Sequence, residues 1–177
     1  MDHFYEPIPG WFGYHGFYSS MVARFPSSSR FLEIGTYAGR SFAYLAVEIV
    51  NSGKDIELTG IDGFGWTPGE ASLESFTKNM EPVAGRYKIL KGNSVELSRT
   101  FPDRYFDFVF IDANHVYESV KADILAYLPK MKSGGVLAGH DYSETEHLGV
   151  YTAVNELFPE KFRTQEDCWI VEMRDLA

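Results

Sequence analysis

Apolar residues along this chain gather into short runs that alternate with longer amphipathic stretches. Arg30 to Ile34, Ile56 to Ile61, Tyr87 to Leu90, Phe106 to Ile111 and Val136 to Ala138 are runs bounded by Gly, Asp or Asn, the pattern of strands buried on both faces. Between them, Phe42, Leu45, Ala46 and Ile49 follow the i, i+3, i+4, i+7 spacing that lines one helical face, and Val150, Ala153, Val154 and Leu157 repeat it. Tyr117, Val120, Ile124 and Leu128 make a third stripe, which Pro129 and then Gly134-Gly135 are expected to end before the next strand. Such alternation predicts parallel strands with right-handed crossovers, an α/β doubly wound sheet covered by helices on both faces. The close of the chain differs. Lys161 to Thr164 and Cys168 to Met173 read as two strands with a short connection, hence an antiparallel hairpin at one edge.

A chain of 177 residues, 45% hydrophobic, suits one domain with a substantial core. We read residues 1–177 as that domain, with an aromatic-rich segment at 1–29 and the sheet at 30–177. Trp11-Phe12-Gly13-Tyr14-His15-Gly16-Phe17-Tyr18 has two glycines and no clean period. It is expected as a lid, with Gly63-Phe64-Gly65-Trp66 as its facing wall, or else as packing on the core or on a second subunit of a homo-oligomer. No run approaches a membrane span, and no charged n-region with an apolar h-region opens the chain, which predicts a cytoplasmic protein with no membrane partner. The net charge of -9 without a basic cluster disfavours nucleic acid as a partner. Cys168, beside Trp169, Ile170 and Val171, is expected to be packing.

In open parallel sheets, ligands sit beyond the carboxyl ends of the strands, so the residues following each run carry the chemistry. Glu33-Ile34-Gly35-Thr36-Tyr37-Ala38-Gly39 ends one strand and opens a helix, with glycines where a backbone can approach a ligand closely. The spacing fits neither the G-x-G-x-x-G dinucleotide loop nor the Gly-Lys-Ser/Thr phosphate loop, and therefore disfavours a nicotinamide oxidoreductase. A phosphate-free nucleoside fits better. Asp62 ends the next strand, near the roughly 20-residue interval at which an acid meets a ribose diol. The bland reading is a tight turn at Gly35 and Gly39 with Asp62 as a solvated loop acid.

Glu33-Ile-Gly-Thr-Tyr-Ala-Gly39-Arg-Ser41 resembles the first motif of class I S-adenosylmethionine-dependent methyltransferases, and Asp62 matches the acid after their second strand. Gly92-Asn93-Ser94 resembles the segment bordering the adenine, although many relatives carry Asp where this chain has Asn93. Phe110 to Glu118, Leu128-Pro129, Gly134 to Tyr142, Gly149-Val150 and Ala153-Val154 are similar to the subgroup acting on sugars and other small hydroxylated metabolites. The resemblance spans roughly Phe31 to Phe158. It implies a Rossmann-like, three-layer, seven-stranded sheet whose last strand is antiparallel. It also implies S-adenosylmethionine contacts from Glu33, Gly35, Thr36, Tyr37, Gly39, Ser41, Asp62, Gly63, Asn93, Ser94 and Asp112, and O-methylation of a small hydroxylated metabolite such as a sugar. The alternative from another class is a non-catalytic S-adenosylmethionine-binding module in a larger assembly.

A hydroxyl acceptor must lose its proton, to a general base or through a metal that lowers its pKa. Asp112, His140 and Asp141 follow the fourth and fifth strands and are candidate metal ligands. The resemblance to metal-dependent O-methyltransferases supports a divalent ion there, and His140 in place of an oxygen ligand turns the choice from Mg toward Mn. The opposed reading makes Asp112 a cap or cofactor contact and His140-Asp141 a hydrogen-bonded loop. His115, just past Asp112, is the candidate base without a metal, and His140 is its rival.

Overall fold

The computed structural model describes residues 1–65 and 71–176. In chain order they form α1 (His15–Arg24), β1 (Arg30–Ile34), α2 (Arg40–Ser52), β2 (Glu57–Asp62), α3 (Leu73–Asn79), β3 (Tyr87–Lys91), α4 (Ser94–Ser98), β4 (Phe106–Ile111), α5 (Tyr117–Tyr127), β5 (Met131–Gly139), α6 (Leu148–Leu157), β6 (Arg163–Gln165) and β7 (Cys168–Glu172). The strands make one seven-stranded sheet in the order β3-β2-β1-β4-β5-β7-β6. β1 to β5 run parallel, and β7 enters antiparallel between β5 and β6. No helix among the described residues is long and apolar enough to cross a membrane.

Strand alternation deals side chains to both faces. Phe31, Phe108, Phe110, Val136 and Ile170 join a core with Phe17 and Tyr18 of α1 and Phe42 and Leu45 of α2. Their sequence neighbours Leu32, Val109, Ile111, Leu137 and Trp169 join a second core with Val120 and Ile124 of α5 and Val150 and Val154 of α6. Both faces therefore need helical cover, and the three-layer α/β/α sandwich supplies it.

Two local expectations are corrected, whereas the hairpin does stand at one edge of the sheet, with β6 outermost and β7 paired inward to β5. Its turn, Glu166-Asp167, has positive φ at both residues (52° and 60°), the mirror-image geometry that matches the twist of paired strands. Gly134-Gly135 do not end a helix. α5 stops at Tyr127, Pro129 lies in a following 3-10 turn, and the glycines fall inside β5, where the register against β4 shifts. The N-terminal stretch expected as a lid is mostly core. Tyr14, Phe17 and Tyr18 are fully buried, with ring centroids 4.9 Å from Phe110, 5.8 Å from Phe108 and 5.0 Å from Phe110 respectively. Arg24 grips Glu172 through two 2.7 Å hydrogen bonds, and the Glu166 carboxylate accepts the Phe17 N–H at 3.0 Å, at the open end of α1. Swinging this segment would expose three aromatic rings; of its aromatics only Trp11 stands out in solvent, 87% exposed. Phe64, expected in a facing wall, instead packs on Phe76 at 5.5 Å, and Trp66 lies outside the described residues.

Glu33 sits within β1, wholly buried, accepting the Tyr18 hydroxyl at 2.9 Å and the Ser41 hydroxyl at 2.6 Å. Burial pushes its carboxyl from 4.5 up to about 8, against the pull of these two donors. Between those values the folded state keeps a proton that the unfolded state has lost, so this group makes stability fall as pH rises through that window. Glu33→Gln, which stays neutral, is expected to flatten this part of the profile. Thermal unfolding of both proteins from about pH 5 to about pH 9 checks it, and an unchanged slope would mean that the side chain is ionised in the fold.

Candidate active site

β1 and β4 are neighbours whose following helices pack on opposite faces, and the chain parts beyond their carboxyl ends. There lies a cavity of about 500 Å³, within the range that holds small-molecule ligands. Gly35 and Tyr37 after β1, Asp62 and Gly63 after β2, Asn93 and Ser94 after β3, and Asp112 after β4 line it, so seven of the expected cofactor residues share one wall. The residues Asn114, Glu118, Ser119 and Asp123, from β4's loop and α5, close the far side.

Glu33, Thr36, Gly39 and Ser41 are not on that wall. Glu33 and Ser41 bond one another beneath it. Gly39 caps α2 at φ 96°, and a Cβ there would meet Phe76 and Met80 at 3.2 Å, so this glycine serves helix packing where close approach to a ligand was expected. At Gly35 (φ 91°) a Cβ would lie 2.0 Å from the Asp112 carbonyl oxygen and 2.7 Å from the Ala113 Cα. Gly35 lets the loop after β1 press against the loop after β4, which fixes the cavity's floor.

The loop after β1 is held in a costly shape. Tyr37 has φ 47°, in the left-handed region that a bulky residue rarely adopts, and donates its N–H to Asp62 Oδ2 at 2.7 Å. Phe64 donates its N–H to Asp62 Oδ1 at 2.8 Å, so backbone amides from two loops aim this carboxylate along the cavity. Thr36 Oγ1, on the same loop, is buried without a hydrogen-bond partner among the described residues. A cavity of this size, an aimed acid and an unsatisfied hydroxyl nearby fit a nucleoside carrying polar groups.

At the mouth, Asp141 sits at φ 59° among three imidazoles: His115 Nε2 is 2.8 Å from its Oδ2, while His140 Nδ1 and His147 Nε2 are 3.2 and 3.3 Å from its Oδ1. Asp112 accepts the buried Tyr14 hydroxyl at 2.9 Å and lies 3.8 Å from His140 Nδ1. Burial opposes a charge on His140, but the adjacent carboxylates of Asp112 and Asp141 outweigh it and push its pKa up to about 10. Asp141 is likewise resisted by burial, yet His115 and His140 hold its carboxyl below the usual carboxylate range. The hydrogen bond to Asp141 also raises His115. A small cavity of about 10 Å³, room for one water-sized group, lies between Asp112, His115 and His140.

The ligating atoms of Asp112, His140 and Asp141 lie within 4.8 Å of one another, and those of His115, Asp141 and His147 form a second such set. Two oxygens and one imidazole nitrogen suit Mn or a similar ion better than Mg. His115, His140, Asp112 and Asp141 are thus brought together as expected, whereas His147 and Tyr14 were not foreseen. His147 comes close because Gly149, whose Cβ would meet the His115 carbonyl oxygen at 2.2 Å, lets the start of α6 press on the His115 loop.

A doubly wound sheet of this order, with an acid-lined nucleoside-sized cavity at the β1–β4 switch point, defines the Rossmann-like class of S-adenosylmethionine-dependent methyltransferases. The chain belongs to the methyltransferase domain family, whose model matches residues 32–142. It is 24% identical over 161 residues to the uncharacterized protein y4gI of Sinorhizobium fredii, covering 88% of this chain and 18% of that one, so the chain spans under a fifth of that relative's length. Three solved structures share the fold. Cofactor-bound Rv0187 from MTB has a TM-score of 0.71 at 19% identity, covering 96% of this chain and 84% of its own. The O-methyltransferase NovP has a TM-score of 0.70 at 16% identity, with 89% and 78% covered. CalS11, a TDP-rhamnose 3'-O-methyltransferase of calicheamicin biosynthesis, has a TM-score of 0.67 at 16% identity, with 89% and 76% covered.

Proposed function

We propose that this chain methylates a hydroxyl of a small metabolite, such as a sugar, using S-adenosylmethionine. The observation that carries this reading is that the Asp62-lined cavity and the small cavity beside His115 and His140 share Asp112 in their walls. The sugar assignment draws on the likeness to NovP and CalS11. The acidic charge, the lack of a membrane-crossing helix among the described residues and the small cavity all suit a diffusible metabolite met in the cytoplasm.

Asp62 would accept hydrogen bonds from the ribose hydroxyls, Gly35 and Tyr37 would flank the amino-acid end, and Asn93 and Ser94 would border the base. The bound cofactor supplies the methyl group on a sulfonium. The protein's own part is to align the acceptor oxygen in line with that methyl and to keep water out, because charge disperses as the methyl moves. Asp141 accepts a hydrogen bond from the His115 Nε2–H, which leaves Nδ1 as the nitrogen that accepts the acceptor's proton. Asp112, His140 and Asp141 are the residues that would hold a divalent ion, which would polarise the same hydroxyl.

Methyl transfer is tested by incubating the protein with S-adenosylmethionine and a panel of hydroxylated acceptors, including nucleotide sugars, and measuring S-adenosylhomocysteine. Turnover with at least one acceptor is expected, and none would favour the non-catalytic binding module. Turnover unchanged in excess chelator assigns proton removal to a side chain of the cluster without a metal, whereas loss restored by Mn assigns the cluster to a metal.

A further inference from the structure

Asp123 is an acid that none of these steps uses. It lies on the second turn of α5, only 4% exposed, and forms part of the cavity wall opposite the loop after β3. Burying a carboxylate is costly, and burial pushes this one up to about 6 although the Ser94 hydroxyl bonds it and pulls it down. Ser94 donates to Oδ1, and among the described residues nothing donates to Oδ2; this oxygen is not sealed in the protein either, since the residue borders the cavity. Ser94 is itself fixed, its carbonyl accepting the Tyr127 hydroxyl at 2.8 Å.

Asn93, which borders the base in the proposed pose, turns its Oδ1 to the cap of α4, where it accepts the Glu96 N–H at 3.0 Å, and its NH₂ can only donate. The exocyclic amine of adenine is a donor and needs an acceptor. Glu118, the other α5 acid on the wall, is exposed and solvated, and it lies a turn nearer the Asp112 end. Asp62 is committed to the ribose end.

Resting on the proposed cofactor reading, we infer that Asp123 is the residue that selects the base, its Oδ2 accepting a hydrogen from the 6-amino group of adenine and turning away a 6-oxo purine. A carboxylate facing a carbonyl oxygen is repelled, and a site built to receive a donor discriminates strongly against an analogue that lacks it.

Titration calorimetry on the full chain with two probes, S-adenosylhomocysteine and its 6-oxo counterpart S-inosylhomocysteine, tests this. The wild type is expected to bind the adenosyl probe roughly 10- to 100-fold more tightly. Asp123→Asn, whose amide offers both an acceptor and a donor, should bring the two within about threefold, mainly by weakening the adenosyl probe. Asp62→Ala should weaken both probes by a similar factor and leave their ratio intact. Equal binding of both probes by the wild type, which needs no variant to fold, would overturn the inference, as would an undiminished ratio in Asp123→Asn. Failure of the wild type to bind either probe would overturn the cofactor reading itself, an outcome distinct from loss of selectivity.

Discussion

His115→Ala is expected to lower turnover by about two to four orders of magnitude, the range lost when a positioned general base is removed. The expectation rests on geometry. Asp141 bonds Nε2 at 2.8 Å, which orients the ring and raises its basicity, and the imidazole stands at the mouth while Asp112, three residues earlier in the same loop after β4, borders both the small cavity beside His115 and the cofactor cavity. Because His115 is not on the wall of the larger cavity, affinity for S-adenosylhomocysteine should stay within about twofold, so the loss belongs to the chemical step. Steady-state kinetics alongside calorimetry separates the two. Turnover within about threefold of wild type would take the base away from His115.

Gly35→Ala is expected to damage the fold and the site together. The added methyl would sit 2.0 Å from the Asp112 carbonyl oxygen, a backbone atom that cannot rotate aside, and the residue would be forced to keep φ near 91°. Left-handed strain and overpacking each cost about 1–3 kcal/mol, so a loss on the order of 3 kcal/mol or more follows. For a domain of this size that is a fall in melting temperature of about 6–12 °C. Any relief would come from parting the loops after β1 and β4, which would move Asp112 away from the cavity and weaken cofactor binding as well. A variant that melts within about 2 °C of wild type and binds normally would show that the two loops do not need this contact.

Much of the fold was legible because the buried parallel strands carry unbroken apolar runs. β1 and β4 begin and end where the pattern puts them, and the stripes at Phe42–Ile49, Tyr117–Leu128 and Val150–Leu157 mark α2, α5 and α6. α1 was hidden because its buried residues, Phe17, Tyr18, Met21 and Val22, follow Gly13 and Gly16, and because its helical ends are secured by Glu166 and Glu172, residues about 150 positions away. The glycines at 134 and 135 mimic a helix stop; only the register of β5 against β4 shows them to be a strand irregularity.

The same contrast holds at the site. Gly35, Asp62, Asn93, Ser94 and Asp112 follow strands directly, so the topology alone delivers them to one wall. Asp123 carried a local signal, since Ser119, Ala122 and Asp123 make a small and polar stripe beside the apolar face of α5. His147 carried none. It reaches Asp141 only because α6 starts hard against the His115 loop, a contact that Gly149 allows. Glu33 shows the reverse case, a residue in the expected motif whose carboxylate is spent on Tyr18 and Ser41 inside the core.

The most direct measurement is a crystal structure of the chain grown with S-adenosylhomocysteine. Density for the nucleoside is expected beyond β1 and β4, with the ribose hydroxyls on Asp62, the base against α5, and the sulfur directed toward Asp112 and His115. A cavity holding only solvent at saturating ligand, or a nucleoside bound elsewhere with Asp62 untouched, would contradict it.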